Sequence, residues 1–416
     1  MAKTIYYTDE DVKQYATITD ILQFRDLEVV DEEYDAETNT IKFKCKHTCF
    51  IGVCPNCHYI SNKIHDYPEE RSVYDAPIRG CYVKLIFNSM RLKCEFCQKP
   101  FTLPVTDVVP NCTYTYRLAE IVADPARKQD IMTLGRVYGI GYKTAEGMIF
   151  KAAEGKLEER KNEPIKVRRL GIDEISNKKG HGDYVLVLTD LDRRVLLDIL
   201  PDRTKLSLEN WLREPPNGID LSNLEEAATD LWYHYKDTVL EVFSHVRVVA
   251  DRFHVMQNLH KVIDEERRKA QNEAKNEEES KKLKGLRYIL LKDKSKLSEK
   301  ELKRLEQLAK THPKLYKLYH LRQQLHDLYE ERMSPRAAKK RLNKWIKKAK
   351  KLQLKSLDKF CKTLQNWKKQ IVNFFACRTT SGFVEGMNNK IRFFKRVAFG
   401  LPNFKHFRLR MLWICG

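Results

Sequence analysis

Two cysteine pairs near the N-terminus constrain the fold of this 416-residue chain more than any other feature. Both pairs have a two-residue spacing, as Cys54-Pro-Asn-Cys57 and Cys94-Glu-Phe-Cys97. This spacing lets both thiolates of a tight turn face one ion, and two such turns complete a tetrahedral zinc site. We therefore predict a zinc ribbon with structural Zn²⁺ within residues 1–110, and a strand at residues 82–87 between the pairs. Nearby alternative ligands are Cys45, His47, Cys49 and His58.

Residues 111–163 have helical periodicity and contain a glycine-rich turn. Asp130 is placed as the N-cap of one helix, and residues 139–141 precede a second helix that begins near Tyr142. A glycine-containing turn between two short helices is typical of a helix-turn-helix DNA-binding domain, although an ordinary helical hairpin fits the pattern equally well. The side chains that the second helix would offer to a DNA groove are Tyr142, Lys143 and Thr144.

After residue 164, the spacing of apolar residues changes from the period of a helix to that of an extended strand. Three apolar segments follow one another, at residues 167–173, 184–189 and 194–200. Hairpin turns are expected between them at residues 180–182 and 190–192. After a helical stretch, residues 246–250 form a fourth segment, and a strand that returns after a helix usually joins the same sheet in parallel. This order predicts a ribonuclease H-like core, formed by residues 164–260 and 371–416.

Residues 261–370, between the two parts of this core, consist almost entirely of helix-forming residues. Pro313 and Pro335 interrupt the helical pattern. Leucines recur at helical spacing, namely Leu302, Leu305, Leu308, Leu315, Leu318, Leu321, Leu325 and Leu328. We interpret the segment as an all-helical insertion in which the leucines are packing seams. The predicted fold class is therefore multidomain α+β.

Positive charge is concentrated in the C-terminal part of the chain, whose overall net charge is +20. Residues 261–370 contain 34 Lys and Arg against 15 Asp and Glu, and residues 371–416 contain 8 against 1. Residues 1–260 contain 35 against 41, so they carry no net positive charge. The C-terminal part is thus expected to attract DNA phosphates. A merely solvated helical surface is the alternative, but such surfaces usually balance their charges.

The sequence also excludes some classes of protein. We find no run of the ~18 apolar residues that a membrane span needs, and the first residues do not have the pattern of a signal peptide. A soluble, cytoplasmic protein with no membrane partner is therefore expected. Motifs for nucleotide hydrolysis or serine-hydrolase chemistry are missing, so neither mechanism is supported.

Acidic residues end two of the predicted strands. Asp173 lies within or at the end of the first strand, and Asp251 ends the fourth. If these strands are neighbours in the sheet, the two acids lie close together. Carboxylates are the ligands that Mg²⁺ prefers, and phosphoryl transfer between nucleic acids needs two such cations about 3.5 to 4 Å apart. Glu174 would face the opposite side of the strand, and His254 is a secondary candidate that a packing or capping role explains equally well.

A third acid is expected on a helix beside the sheet, and Glu385 lies on a suitable one that begins after Ser381 as N-cap. One face of this helix is apolar, with Val384, Met387, Ile391 and Phe394. The opposite face joins Glu385 with groups suited to a DNA backbone, which are Asn389, Arg392 and Arg396, followed by Lys395 beside them. Gly386 weakens the helix by ~1 kcal/mol, and one hypothesis is that no side chain can stand between Glu385 and an incoming phosphate.

These motifs, in this order, resemble the ISL3 family of bacterial insertion-sequence transposases, which are of the Asp-Asp-Glu type. The matching elements span most of the chain and comprise the cysteine pairs, the helix-turn-helix, residues 171–174, residues 251–255, residues 381–392, residues 395–400 and Asn403-Phe404. The resemblance implies Asp173, Asp251 and Glu385 as the catalytic set, with Mg²⁺ or Mn²⁺ as cofactor. It also implies hydrolysis at the ends of a mobile element followed by attack of the freed 3′ hydroxyl on target DNA.

In such an enzyme the N-terminal half recognises the element's ends, and pairing two ends suggests at least a homodimer that works at the bacterial nucleoid. Two other readings of the residues remain open. A nuclease of the same fold, such as a junction resolvase, would use the same acids without joining its product. A non-enzymatic zinc-ribbon regulator would only bind DNA.

Overall fold

The structure is a computed structural model of the chain, and it describes residues 18–178, 183–380, 382–398 and 403–416. The chain divides into two compact units. One unit comprises residues 1–154 and 394–401, and the other comprises residues 155–393 and 402–416. The five smaller domains that we expect from the sequence remain predictions.

The first unit is built on a four-stranded sheet, in the order β1-β2-β7-β6, and two small sheets that carry the cysteine pairs. Its elements are α1 (Ile18–Leu22), β1 (Leu27–Asp35), β2 (Thr40–His47), β3 (Gly52–Val53), β4 (Ile60–Ser61), β5 (Ile64–Asp66), β6 (Glu70–Ile78), β7 (Cys81–Asn88), β8 (Arg91–Lys93), β9 (Pro100–Thr102), α2 (Tyr116–Ala123), α3 (Ile131–Tyr138) and α4 (Tyr142–Asn162), which runs on into the second unit. The strand that we predicted at residues 82–87 is confirmed as β7. It pairs with β2 and β6, however, and not with the strands of the cysteine turns.

Helices α2, α3 and α4 follow one another through short turns. Asp130 caps α3 as predicted, because its carboxylate accepts a hydrogen bond from the backbone N–H of Thr133 at 2.8 Å. Gly139 ends α3 in a left-handed conformation with φ of 64°, which glycine adopts without strain. Gly135 has no room for a side chain, since a Cβ there would lie 2.8 Å from the carbonyl oxygen of Ile140. These contacts hold α3 and α4 at a close turn.

The second unit contains a five-stranded sheet in the order β13-β12-β11-β15-β16. The elements of this part are β10 (Ile165–Lys166), β11 (Arg169–Lys178), β12 (Asp183–Asp190), β13 (Val195–Leu200), α5 (Lys205–Arg213), β14 (Ile219–Asp220), β15 (Glu226–Thr229), α6 (Tyr233–Val242) and β16 (Arg247–Ala250). The pairs β11–β12 and β12–β13 are antiparallel, as predicted, and β15 and β16 run parallel to β11. The hairpin turn at residues 190–192 is confirmed, whereas the one at residues 180–182 lies outside the described residues.

Strand β15 corrects the prediction of a four-stranded order. Asp251 follows the fifth strand of the sheet and not the fourth, and β15 separates its strand from that of Asp173. The segment Glu-Ala-Ala-Thr has no alternating pattern, and alanine favours strands weakly. It becomes a strand because it pairs with β11 on one side and with β16 on the other. The segment is recognisable as a strand only from its pairing with the neighbouring strands.

Helices fill the chain from Arg252 to Cys377, which confirms the helical nature of the predicted insertion and extends it at both ends. They are α7 (Arg252–Asn272), α8 (Glu277–Lys284), α9 (Arg287–Leu291), α10 (Glu299–Thr311), α11 (Pro313–Glu330), α12 (Pro335–Lys350), α13 (Lys355–Asn366) and α14 (Lys368–Cys377). Apart from the partly buried Leu302, the predicted leucine seams are buried in one apolar core that also includes Val249 and Ala250 of β16. Asn373 further joins α14 to the sheet by donating a hydrogen bond to the carbonyl oxygen of Val248 at 2.8 Å.

Two last helices, α15 (Gly382–Val397) and α16 (Phe404–Cys415), complete the chain. Arg408 of α16 donates hydrogen bonds of 2.6 and 2.9 Å to the buried carboxylate of Asp198 on β13, and Trp211 of α5 donates a third. This network fixes α16 to the outer antiparallel strand. Across the described residues, no helix has the length and apolar character that a membrane crossing requires.

Candidate zinc site and candidate active site

The four paired cysteines converge on one point of the first unit. All four sulfur atoms lie within 4.8 Å of one another. The Sγ atoms of Cys54 and Cys97 are 3.6 Å apart, and those of Cys57 and Cys94 are 3.5 Å apart. A tetrahedral zinc ion with Zn–S bonds of about 2.3 Å would separate its sulfurs by about 3.8 Å. The sulfur geometry therefore fits a zinc ion held by four thiolates.

The two cysteine turns have the same construction. The N–H of Cys54 donates to the carbonyl of Tyr59, and the N–H of Cys94 donates to that of Lys99, at 2.9 and 3.0 Å. Residues His58 and Gln98 each adopt φ of 60°, which closes the turns. The pKa of Cys97 is lowered to about 6, with a backbone hydrogen bond at Lys99 as the largest cause, whereas the pKa of Cys57 is raised to about 12, so the negative charge is divided unequally among the thiols. Among the described residues, the group of converging ligands does not include the alternative ligands Cys45, His47, Cys49 and His58.

Three aspartates lie in one row across the parallel strands of the second unit. Ile172 of β11 pairs with Thr229 of β15, which in turn pairs with Ala250 of β16. The residues that follow these three are Asp173, Asp230 and Asp251. Because neighbouring strands are about 4.8 Å apart, Asp230 is next to Asp173, and Asp251 is one strand further. The sheet therefore gathers three acids that are 78 residues apart at most.

Asp173 is buried, with 6% of its surface exposed. Its Oδ2 accepts a hydrogen bond of 2.8 Å from the side-chain amide of Asn388, and its Oδ1 accepts one from the N–H of Glu174. The pKa of Asp173 is raised to about 7: burial is the largest cause, the hydrogen bond from the N–H of Glu174 opposes it, and the negative charges of Asp251 and Glu385 add to it. Both other acids of the predicted set thus act electrostatically on Asp173.

Asp251 is even more buried, with 2% of its surface exposed. It caps α7 by accepting a hydrogen bond from the N–H of Phe253. His254 lies between the first two predicted acids, with Nδ1 at 3.3 Å from Oδ2 of Asp251 and Nε2 at 3.8 Å from Oδ1 of Asp173. The histidine thus faces both carboxylates, although its Nδ1 has no hydrogen-bond partner among the described residues and 3.8 Å is longer than a hydrogen bond.

Asp230 is a member of this row that we did not predict from the sequence. It is partly exposed, and its carboxylate accepts a hydrogen bond of 3.0 Å from the N–H of Trp232. Its pKa is raised to about 6: burial is the largest cause, the charge of His254 opposes it, and the charges of Glu174 and Asp173 add to it. A repeated pattern could have indicated Asp230 in the sequence, because Asp230 and Asp251 both lie between a short strand and a helix.

Helix α15 carries Glu385 to this row of acids. The apolar face predicted for it is confirmed, with Val384, Met387, Ile391 and Phe394 all buried. The helix approaches β11 closely at Gly171, where a Cβ would lie 2.9 Å from Cγ2 of Val384 and 2.5 Å from Oγ1 of Thr189. Asn388, which is fully buried, then joins the helix to Asp173. The sequence pattern did not single out Asn388, because an amide beside an apolar stripe has no distinctive spacing.

The exposed side of α15 is polar as predicted. Arg392 donates to Oε1 of Glu385 at 3.2 Å and to Oδ1 of Asn389 at 2.9 Å, while Arg396 is exposed. A Cβ on Gly386 would meet nothing within 4 Å, so the space beside Glu385 is open. The predicted N-cap Ser381 lies outside the described residues.

Glu174 belongs to a different cluster from Asp173. Its carboxylate accepts hydrogen bonds from Arg203 at 3.0 and 3.1 Å and from the hydroxyl of Tyr235 at 3.2 Å. The guanidinium of Arg203 also stacks on the ring of Trp232, at 4.8 Å from its centroid. Glu174 is therefore already neutralised, which agrees with its low rank as a metal ligand.

The row of aspartates and Glu385 offer the oxygen ligands that hard divalent cations prefer, although among the described residues only the four cysteines bring three or more ligand atoms within 4.8 Å of one another. Asp173 and Asp230, whose pKa values are raised, belong to a group of acids that repel one another, and a cation would relieve this repulsion. Arginines form ion pairs with Glu174 and with Glu385. Among the described residues, no lysine or arginine pairs with Asp173 or Asp230. The donor set thus fits Mg²⁺ or Mn²⁺ better than a soft metal.

Comparison with known proteins identifies the class to which this site belongs. Residues 170–411 match the model of a family described as "Transposase", namely the ISL3-type DDE transposases. This match covers more than half of the chain, and the chain belongs to the ISL3 family of transposases. The matched region begins at β11 and ends within α16, so it includes every acid of the row and Glu385.

Curated relatives agree with this assignment. The chain is 26% identical over 377 residues to the transposase for insertion sequence element IS1001 of Bordetella parapertussis, which covers 89% of this chain and 91% of the relative. It is also 26% identical over 309 residues to the transposase for insertion sequence element IS1557 of Mycobacterium tuberculosis. That alignment covers 69% of this chain and 68% of the relative.

Proposed function

We propose that this protein is a DNA transposase that cleaves the ends of an insertion sequence and joins the 3′ ends to target DNA. The observation that carries the proposal is that both Asp251, directly after β16, and Glu385, on α15, act electrostatically on Asp173 of β11. The order and directions of the five strands are those of a ribonuclease H-like core, which supports the same conclusion. Asp230 adds a fourth carboxylate to the proposed metal-binding set.

Bound to these carboxylates, two divalent cations would activate the attacking oxygen and stabilise the leaving oxygen of an in-line displacement. The chain's own residues prepare the site for this role. Asn388 fixes Oδ2 of Asp173, and His254 lies against the carboxylates of Asp173 and Asp251. Arg392 is adjacent to Glu385 on an exposed face, where a guanidinium suits contact with a DNA phosphate. We assign the same kind of contact to Asn389, Lys395 and Arg396.

We further propose that the first unit recognises the element's ends. Helices α3 and α4 would form a helix-turn-helix, with Tyr142, Lys143 and Thr144 at the start of the second helix facing a DNA groove. Tyr142 and Lys143 are exposed and Thr144 is half-buried, which suits this role. The cysteine cluster would hold structural Zn²⁺. Since transposition pairs two ends, the active form would be at least a dimer, bound to DNA of the bacterial nucleoid.

The test uses the full-length, zinc-loaded protein with duplexes that carry the ends of its own element, in Mg²⁺ or Mn²⁺. Cleavage, strand transfer into a plasmid and duplex binding are measured for the wild type, Glu385→Gln and Asp173→Asn. We expect each substitution to reduce cleavage at least about 100-fold, as loss of an electrostatic contact at a reacting group does, while binding is retained. The control is Glu299→Gln, an exposed acid on α10 that should leave all three activities unchanged.

The same measurements separate the rival functions. Cleavage without strand transfer would indicate a nuclease of the same fold. Binding that persists in all variants, with no cleavage by the wild type, would indicate a DNA-binding regulator. Full cleavage by Glu385→Gln would overturn the assignment of Glu385.

A further inference from the structure

Helix α12 carries a dense row of positive charge. Between Pro335 and Lys351 the chain has nine basic residues and no acidic one. Five of them recur at helical spacing along one exposed side, which we call the α12 face: Arg336, Lys340, Lys344, Lys347 and Lys351. The face therefore concentrates charge that a solvated helix would normally balance.

Other helices of the same region neutralise their lysines. On α8, Lys281 pairs with Glu277 at 2.7 Å and Lys282 pairs with Glu278 at 2.6 Å, each one helical turn apart. None of the five residues of the α12 face takes part in an ion pair with any residue that the structure describes. At its margin, Arg341 contacts Glu331 and Lys348 contacts Gln324. The central cations are thus available to an external partner.

The opposite side of α12 fixes the orientation of this face. Ala338, Leu342, Trp345, Ile346 and Ala349 are buried in the apolar core of the helical region. The indole N–H of Trp345 also donates a hydrogen bond of 2.8 Å to the backbone carbonyl of Leu321 on α11. Rotation of the helix would expose this apolar side, so the basic side stays turned towards solvent.

The dimensions and chemistry of the face match a DNA backbone. With a rise of 1.5 Å per residue, the five cations extend over about 22 Å. One strand of duplex DNA presents a phosphate about every 3.4 Å, so this length spans roughly six phosphates. Four of the five residues are lysines, which bind phosphate as point charges.

We propose that the α12 face is a binding surface for the phosphate backbone of duplex DNA, without sequence preference. This inference rests on the proposed function, because it assigns to a transposase the surface that holds DNA outside the sequence-specific end contacts. It also gives the helical region a role beyond packing. The interaction neutralises phosphates and releases counterions, so it weakens steeply as salt is added.

The test compares two triple substitutions that change the net charge equally. One is Lys340→Gln with Lys344→Gln and Lys347→Gln on the α12 face. The matched control is Lys281→Gln with Lys282→Gln and Lys303→Gln, which are exposed lysines on α8 and α10. Glutamine preserves helix propensity, so both proteins should fold. The full-length, zinc-loaded proteins are titrated with a 30-bp duplex of unrelated sequence over a range of salt concentrations.

We expect the α12 variant to bind the unrelated duplex at least about 10-fold more weakly, and its salt dependence to decrease by about 2 to 3 in log-log slope. The control variant should keep the wild-type slope within about 1. Equal slopes for the two variants would overturn the proposal, because total charge and not the α12 face would then determine binding. The proposal would also be overturned if the α12 variant lost binding only to element-end duplexes, or only to single-stranded RNA.

Failure of this proposal is distinguishable from failure of the proposed function. Cleavage of element ends by the α12 variant is measured at low salt and saturating protein. If the α12 variant binds and cleaves like the wild type, the transposase assignment stands and the α12 face is excluded. If the wild type does not cleave but the slopes differ as expected, the face binds DNA in a protein of another function.

Discussion

The cysteine cluster and the carboxylate cluster are both sets of metal-type ligands, but the chain assembles them in opposite ways. The cysteines come as two local pairs, and each pair shares one tight turn. The carboxylates come from the middle of β11, from the residues directly after β15 and β16, and from one helix, and they span residues 173–385. Local spacing alone brings the first set nearly into place, whereas the second set exists only after the sheet has formed.

The two clusters also differ in what supports them. The cysteine turns are attached to a small apolar cluster that contains Met90, Leu92, Phe101 and Leu103. The row of acids lies at the end of a large sheet with buried helices around it. We therefore expect a bound metal to be essential for the fold of the cysteine turns, and essential only for activity at the carboxylates.

The largest expected effect is at the cysteines. Cys94→Ser removes a buried ligand, so zinc should be lost and the segments 52–61 and 91–102 should unfold. Apparent binding energies of structural zinc are about 10 to 16 kcal/mol in small domains, which exceeds what this apolar cluster can replace. Zinc content and hydrogen exchange of the two segments are the measurements.

Cys49→Ser is the matched control, since Cys49 lies outside the sulfur set and should leave zinc content at one ion per chain. The idea of a metal-dependent ribbon fails if Cys94→Ser retains the zinc and the protection of both segments.

The second effect concerns the row of aspartates. We expect Asp230→Asn to reduce cleavage at least as much as Asp251→Asn, by about 100-fold or more, because Asp230 is one strand nearer to Asp173. Asp251→Asn should also lower stability by about 1 kcal/mol, since Asp251 caps α7. Cleavage rate and melting temperature separate the two contributions.

Asp237→Asn, an exposed acid on α6, serves as the control and should cleave normally. Cleavage at the wild-type rate by Asp230→Asn would leave Asp251 as the second acid and would contradict the argument from the strand register.

The last expected effect is a gain in stability, whereas the earlier predictions are losses of zinc, of activity or of stability. Asp173→Asn should raise the melting temperature of the second unit in EDTA at pH 8. The pKa of Asp173 is raised from 3.8 to about 7, so its protonated form stabilises the fold below pH 4, and this stability is lost as the pH rises to about 7. Asparagine avoids the buried charge, which corresponds to roughly 2 to 4 kcal/mol.

Calorimetry at pH 8 and pH 5 tests this, and the gain should be larger at pH 8. An equal or lower melting temperature of Asp173→Asn at pH 8 would show that burial of the charged Asp173 carboxylate does not destabilise the fold. Adding Mg²⁺ should stabilise only the wild type.

Features that depend on nearby residues could be predicted from the sequence, whereas features that depend on distant residues could not. The zinc ligands, the cap at Asp130 and the apolar face of α15 were predictable because each depends on residues within a few turns of chain. Strand β15 was not, because its four residues have no strand pattern. Its omission misplaced Asp251 in the sheet and hid Asp230.

The sequence by itself determined the four cysteines of the candidate zinc site, the helical region with its charge, and the helix that carries Glu385, since spacing and periodicity encode these directly. The tertiary structure decided which acids meet. Strand register places Asp230 between Asp173 and Asp251, and the missing side chain of Gly171 lets α15 lie close enough for Asn388 to reach Asp173. Such contacts depend on backbone pairing between distant segments, which no local pattern records.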